Sequence, residues 1–92
     1  MNVRYTTTAL AEIDDILNYI AKDNPLAADE VSALLDAMIA RIADYPRLAV
    51  ETDVPGVHVL PLLPYKYLAF YNVLQGGVII RNVQHAARAR LY

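Results

Sequence analysis

The chain has 92 residues, with no cysteine, no tryptophan and a single serine. Without cysteine there is no disulfide framework, no thiolate metal site and no thiol nucleophile, in keeping with a reducing compartment. Ser32 sits on a helical stripe of ordinary residues, so no Ser/His/Asp arrangement is proposed. The two histidines, His58 and His85, are far apart in sequence, and the carboxylates lie in the other half of the chain. Neither a metal site nor a cofactor is expected from such a set. Gly76-Gly77 is not followed by a GxxxxGK helix and reads as a turn rather than a phosphate loop. The opening MNVRYTTTALAEIDD has no run of signal-peptide length, and the longest apolar stretch, VHVLPLLPYKYLAFY, is broken by Pro61, Pro64 and Lys66. The expectation is a soluble cytoplasmic protein with no membrane partner.

Acidic residues are missing from one half of the chain. All ten lie in residues 1–56 with four bases (net −6), whereas residues 57–92 carry Lys66, Arg81, Arg88 and Arg90 and no acid (net +4). Such a split fits a nucleic-acid or acidic-protein contact on the C-terminal half. It also fits strands, which are poor in Asp and Glu whatever they bind.

What is present is apolar: 57% of residues are hydrophobic. One domain of this length buries roughly 60 to 65% of its unfolded surface. Apolar surface is therefore left for another chain to cover. Val3 and Tyr5 alternate with polar neighbours and predict a short strand over residues 1–5. Thr7 or Thr8 is placed to cap a helix whose apolar face is Leu10, Ile13, Ile16, Leu17 and Ile20. Asn24-Pro25 ends it and begins a second helix with the stripe Ala28, Val31, Leu35, Met38 and Ile42, which stops at Tyr45-Pro46. Strands follow over 57–63, 65–74 and 78–84, the last two joined at the glycine pair. Pro61 has no N–H to donate, which puts the first of them at a sheet edge or a bulge.

The expected fold is α+β, in the order β-α-α-β-β-β: a two-helix antiparallel hairpin on a small antiparallel sheet, forming one domain over 1–92. Without a bulge, a two-residue turn makes facing residue numbers in the last hairpin sum to 151 or 153. Leu68 and Phe70 then share a face with Ile79, Arg81, Val83 and His85, and that face reads as core. Tyr67, Ala69 and Tyr71 share the other with Val78, Ile80, Asn82 and Gln84, and that face reads as covered by a partner.

Few side chains can carry chemistry. His85 has an ordinary pKa near neutrality and, with Arg81, Arg88 and Tyr92 in the same basic tail, could bind or act on phosphate. A histidine that ends a strand and bonds the backbone is the plainer reading. Arg88 can clamp a carboxylate or phosphate through two parallel hydrogen bonds. Arg81, inside an apolar strand, needs a partner or an opening to water. His58 reads as a sheet-surface residue. Tyr65, Tyr67 and Tyr71 could anchor a protein contact or stack on bases.

Taken together, YTTTALAEIDDILNYIAKDNPLAADEV, then DYP, then PYKYLAFYNV, then GGVIIRNVQHAAR resemble the ParE/RelE superfamily, the toxins of bacterial type II toxin-antitoxin modules, over nearly the whole chain. The resemblance implies two helices on an antiparallel sheet and a cognate ParD-like antitoxin that wraps the toxin in a hetero-oligomer. RelE-like members cut messenger RNA on the ribosome with basic side chains on the sheet. Where such enzymes commonly carry a catalytic arginine this chain has Leu68, and His58 stands where many members have another arginine. The ParE-like branch, closer in its helices and in PYKYLAFY, poisons DNA gyrase without chemistry of its own. The leading expectation is thus a non-enzymatic gyrase inhibitor, with His58, Tyr67, Tyr71, Arg81, His85 and Arg88 as partner-binding residues. The competing expectations are a ribosome-dependent endoribonuclease using Arg81, His85 and Tyr92, and a module that has lost toxicity and only binds.

Overall fold

The first helix starts one residue earlier than the two threonines considered above. Thr6 is its N-cap: the Thr6 hydroxyl accepts from the Ala9 N–H at 3.0 Å and donates to the Arg81 carbonyl at 2.8 Å, while the Thr6 N–H donates to the Ile80 carbonyl at 3.0 Å. Only Thr6 lies where the first strand leaves the sheet, so only its hydroxyl can serve both helix and strand. In the computed structural model, which describes residues 2–89, the elements are β1 (Asn2–Tyr5), α1 (Thr7–Asp23), α2 (Pro25–Asp44), β2 (Val50–Glu51), β3 (Val57–Pro61), β4 (Tyr67–Leu74) and β5 (Gly77–His85). Asn24 joins the helices by serving both. Its N–H caps Ile20, and its Oδ1 accepts from Ala27, with Pro25 in the first turn of α2.

The five strands form one sheet in the order β1-β5-β4-β3-β2. The β3-β4-β5 meander is antiparallel as expected, but β1 pairs parallel to β5, so the sheet is mixed. β2 has only two residues, both exposed, too few to show any alternation in sequence. It lies outside β3 and pairs only with Val59 and His58, so β3 is an edge only towards Pro61, where a missing N–H costs nothing. Gln75-Gly76 forms the two-residue loop of the last hairpin, with Gly76 at φ +83°. Gly77 serves a different need, because a Cβ there would collide with the Asn2 backbone carbonyl of the neighbouring strand.

Facing residues in that hairpin sum to 151 from Leu74–Gly77 to Tyr71–Ile80, and to 152 from Phe70–Asn82 onward. Arg81 is the extra residue, a β-bulge that puts Arg81 and Asn82 together outside the core cluster and returns Val83 to it. Apart from the bulge, the helices cover the face that was expected to await a partner, so core and partner faces are the reverse of the expectation, and the bulge adds Val83 to the core face. The helices cover Ala69, Tyr71, Val78, Ile80 and Val83, which join Ala9, Leu35, Ile39, Ile42, Leu60 and Leu62 in the core. Leu68 and Phe70 lie on the other face, where Phe70 is buried outside that cluster and Leu68 is half-buried. The stripe of α2 is as expected, with Ile39 added; on α1, Leu10 is 53% exposed and the small Ala9 makes the buried contact instead.

Candidate functional site

The bulge divides β5. Up to Ile80 its outer edge is paired with β1. Beyond, the edge is completed by side chains. Thr6 satisfies the Ile80 and Arg81 carbonyls, and Glu12, two turns into α1, accepts from the Val83 N–H at 3.0 Å. The same carboxylate accepts from Asn82 Nδ2 at 3.2 Å and from Gln84 Nε2 at 3.1 Å. Charge-assisted bonds of this kind are stronger than neutral ones. They hold the end of β5 against α1.

Beside this clasp is an open cleft of about 670 Å³, lined among others by Asp15, Ile16 and Tyr19 of α1 and by Tyr67, His85 and Arg88. Tyr67 and His85 face each other across the ladder, and their rings meet edge to face with centroids 5.4 Å apart. His85 Nδ1 accepts from the Ala87 N–H at 3.1 Å, and the Arg88 N–H donates to the His85 carbonyl. A neutral imidazole held this way carries its proton on Nε2, so the nitrogen left over is a donor and not a base. Arg88 is exposed, and Glu12 and Asp15 share the cleft with it.

Arg81 points to the opposite face. Its Nη1 donates to Asn72 Oδ1 at 3.2 Å, and Asn72 in turn donates to the Gly56 carbonyl at 2.9 Å. The sheet therefore separates Arg81 from His85. Tyr92, the third member of the proposed catalytic set, and Arg90 lie outside the described residues.

Over residues 3–90 the chain matches the family described as ParE toxin of type II toxin-antitoxin system, parDE. The chain belongs to that family. Among curated proteins it is similar to Toxin RelE2 of Caulobacter vibrioides, with 37% identity covering 94% of this chain and 96% of the relative. A chain of the chromosomal ParDE TA system from P. aeruginosa shares the fold, with a TM-score of 0.79 over 92% of this chain and 95% of that one at 20% identity.

Two of the toxin's predicted contact residues are internal. His58, expected on the sheet surface, is 4% exposed, and Tyr71 is fully buried. The reason is the reversed faces: both project towards the helices, where their rings stack at 5.3 Å and the Tyr71 hydroxyl donates to the Pro46 carbonyl. His58 Nδ1 has no hydrogen-bond partner. Tyr65, by contrast, is half-buried and donates to Glu30 at 3.0 Å, tying the β3-β4 turn to α2.

A second depression of the toxin, about 760 Å³, lies between residues 44–48 and the β4-β5 turn. Tyr45, Leu48 and Leu74 along it are exposed, as are Tyr19 and Leu26 on the helices. Sequence reasoning missed Glu12, whose only signal was an acid near a helix start. Among the described residues there is no group of three or more potential metal ligands, and no helix is long and apolar enough to cross a membrane.

Proposed function

We propose that this toxin acts on DNA gyrase by binding, without catalysing a reaction, and is held inactive by a cognate antitoxin. The observation that carries this reading is the separation of Arg81 from His85 by the sheet. Cleaving RNA needs a base at the ribose hydroxyl and cations on the same phosphate, held together within hydrogen-bond reach. Here the guanidinium is on one face and the imidazole on the other. The imidazole already spends its Nδ1 lone pair on the backbone and shares its cleft with two carboxylates that repel a phosphate. A binding toxin has no need of such convergence. Its exposed apolar side chains, Tyr45, Leu48 and Leu74 in the groove and Tyr19 and Leu26 on the helices, are surface for an antitoxin or a target to cover.

The relative named Toxin RelE2 keeps the endoribonuclease reading in play. One experiment separates the two. Purified toxin added to gyrase and supercoiled plasmid is expected to accumulate gyrase-cleaved DNA. No cleaved complex, together with ribosome-dependent cutting of messenger RNA that an Arg81→Ala, His85→Ala, Tyr92→Ala variant loses, would overturn the proposal.

A further inference from the structure

β1 is an outermost strand of the sheet, with β5 on one side and no strand on the other. In a parallel ladder, alternate residues turn both their N–H and their C=O to the same neighbour. The Asn2 and Thr6 N–H groups donate to the Gly76 and Ile80 carbonyls, so residues 2, 4 and 6 face β5 while Val3 and Tyr5 face the free side. Among the described residues no hydrogen bond reaches the backbone of Val3 or Tyr5 from that side. Their side chains pack half-buried against the core, which holds the strand in place. Such an edge is a template for a further strand.

Two features border it. On α2 the residues Asp29, Ser32, Asp36, Ala40 and Ala43 recur at the spacing of three and four that puts them on one flank. This flank is turned to β1, since Asp36 acts on the Tyr5 phenol, second to burial, to raise its pKa. It carries two exposed carboxylates among small side chains and no base, because Arg41, five residues past Asp36, lies across the helix. The second feature is the groove of Tyr45, Leu48 and Leu74. It includes Gly76, whose carbonyl accepts from Asn2, and therefore opens at the start of β1.

We propose that the free edge of β1 receives an extended segment of the antitoxin, a strand with basic side chains towards α2 and an apolar one in the adjoining groove. The proposal rests on the reading that an antitoxin holds this toxin inactive, and it names the place and the chemistry. A strand added here points alternate side chains over the α2 flank. The small Ser32 and Ala40 leave room there for the stem of a lysine or arginine whose head meets Asp36 or Asp29. A second copy of this chain fits less well through the same strand, because the side chains that its β1 turns towards the helices are Val3 and Tyr5, with no base to meet the carboxylates.

The test compares amide exchange in the ¹⁵N-labelled toxin alone and in its complex with the antitoxin, purified from cells that express both. In the free toxin the Val3 and Tyr5 amides are expected to exchange fast, while those of Val78 and Ile80, which face β1, are protected. In the complex Val3 and Tyr5 should slow by at least roughly tenfold. Asp36→Lys is expected to weaken the complex about tenfold at low salt and progressively less as salt rises. Val3→Pro removes an N–H that no strand of this chain uses, so it should weaken the complex while Val78 and Ile80 stay protected. If that variant does not fold, exchange in the wild-type complex decides. A complex in which Val3 and Tyr5 exchange as in the free toxin overturns the proposal and leaves the antitoxin reading standing. Asp36→Lys binding as tightly as wild type at low salt also overturns it, as does protection of both amides in concentrated toxin alone, which gives the edge to a second copy. Failure to form any complex overturns both readings.

Discussion

The two halves of β5 follow the same rules of backbone geometry and are held in different ways. Residues 77–80 are strand on both sides, with β1 against one edge and β4 against the other. Residues 81–85 have β4 on one side and, on the other, the side chains of Thr6 and Glu12. The first half is apolar scaffold around Val78 and Ile80. The second carries the polar residues Arg81, Asn82, Gln84 and His85. One inserted residue, Arg81, marks the boundary, and strand bulges commonly re-aim side chains at sites in this way.

The comparison breaks most severely in the first half. Ile80 is fully buried. Ile80→Ala is expected to cost about 3 to 4 kcal/mol in urea unfolding, the loss of transfer energy plus the cavity it leaves. Gly77→Ala should cost about 2 to 3 kcal/mol, because the new methyl meets a backbone carbonyl that cannot rotate away. Its signature is loss of exchange protection in β1 while the β3-β4 ladder stays closed.

Thr6 stands at the join between the halves and sharpens it. Thr6→Ala removes both a helix cap and the bond to the Arg81 carbonyl and should cost about 1 to 2 kcal/mol, while Thr6→Ser should stay near wild type. Tyr71, paired with Ile80 just before the bulge, gives the smallest effect and a pH dependence. Tyr71→Phe loses the bond to Pro46 and about 1 kcal/mol at neutral pH. Burial raises the Tyr71 phenol above its ordinary 10, with the backbone at Ala49 pulling the other way. The folded state thus favours the protonated phenol. Its contribution is complete below pH 10 and is lost as pH climbs through the raised value. Tyr5 is raised by burial and then by Asp36, and Tyr65 by its bond to Glu30, so both proteins weaken in alkali. The wild type should fall more steeply than Tyr71→Phe, and the difference between their denaturation curves above pH 10 measures Tyr71 alone.

The elements were legible in the sequence because their signals are local. Asn24-Pro25 and Tyr45-Pro46 bound the second helix within a residue, the glycine pair marks the last hairpin, and the order of elements follows from them. The resemblance built on these stretches led to the toxin family to which the chain belongs. The candidate site was legible only as a list of residues. His85, Arg88 and Tyr67 do come together, but Arg81 does not join them, and His58 and Tyr71 are inside.

By itself, then, the sequence determined the two helices, the three-strand meander and their order, the confinement of acids to residues 1–56, and the class of module. Only the tertiary structure decided which sheet face is core: the helices cover the face of Ala69, Tyr71, Val78 and Ile80, and the bulge at Arg81 changes the pairing parity beyond it and so brings Val83 to that face. Whether a bulge forms depends on what the rest of the chain can bury and bond. Thr6 can satisfy two successive carbonyls at that point, and Glu12 can close the edge that follows. Both lie more than seventy residues from their partners, a separation at which no local pattern reports a contact.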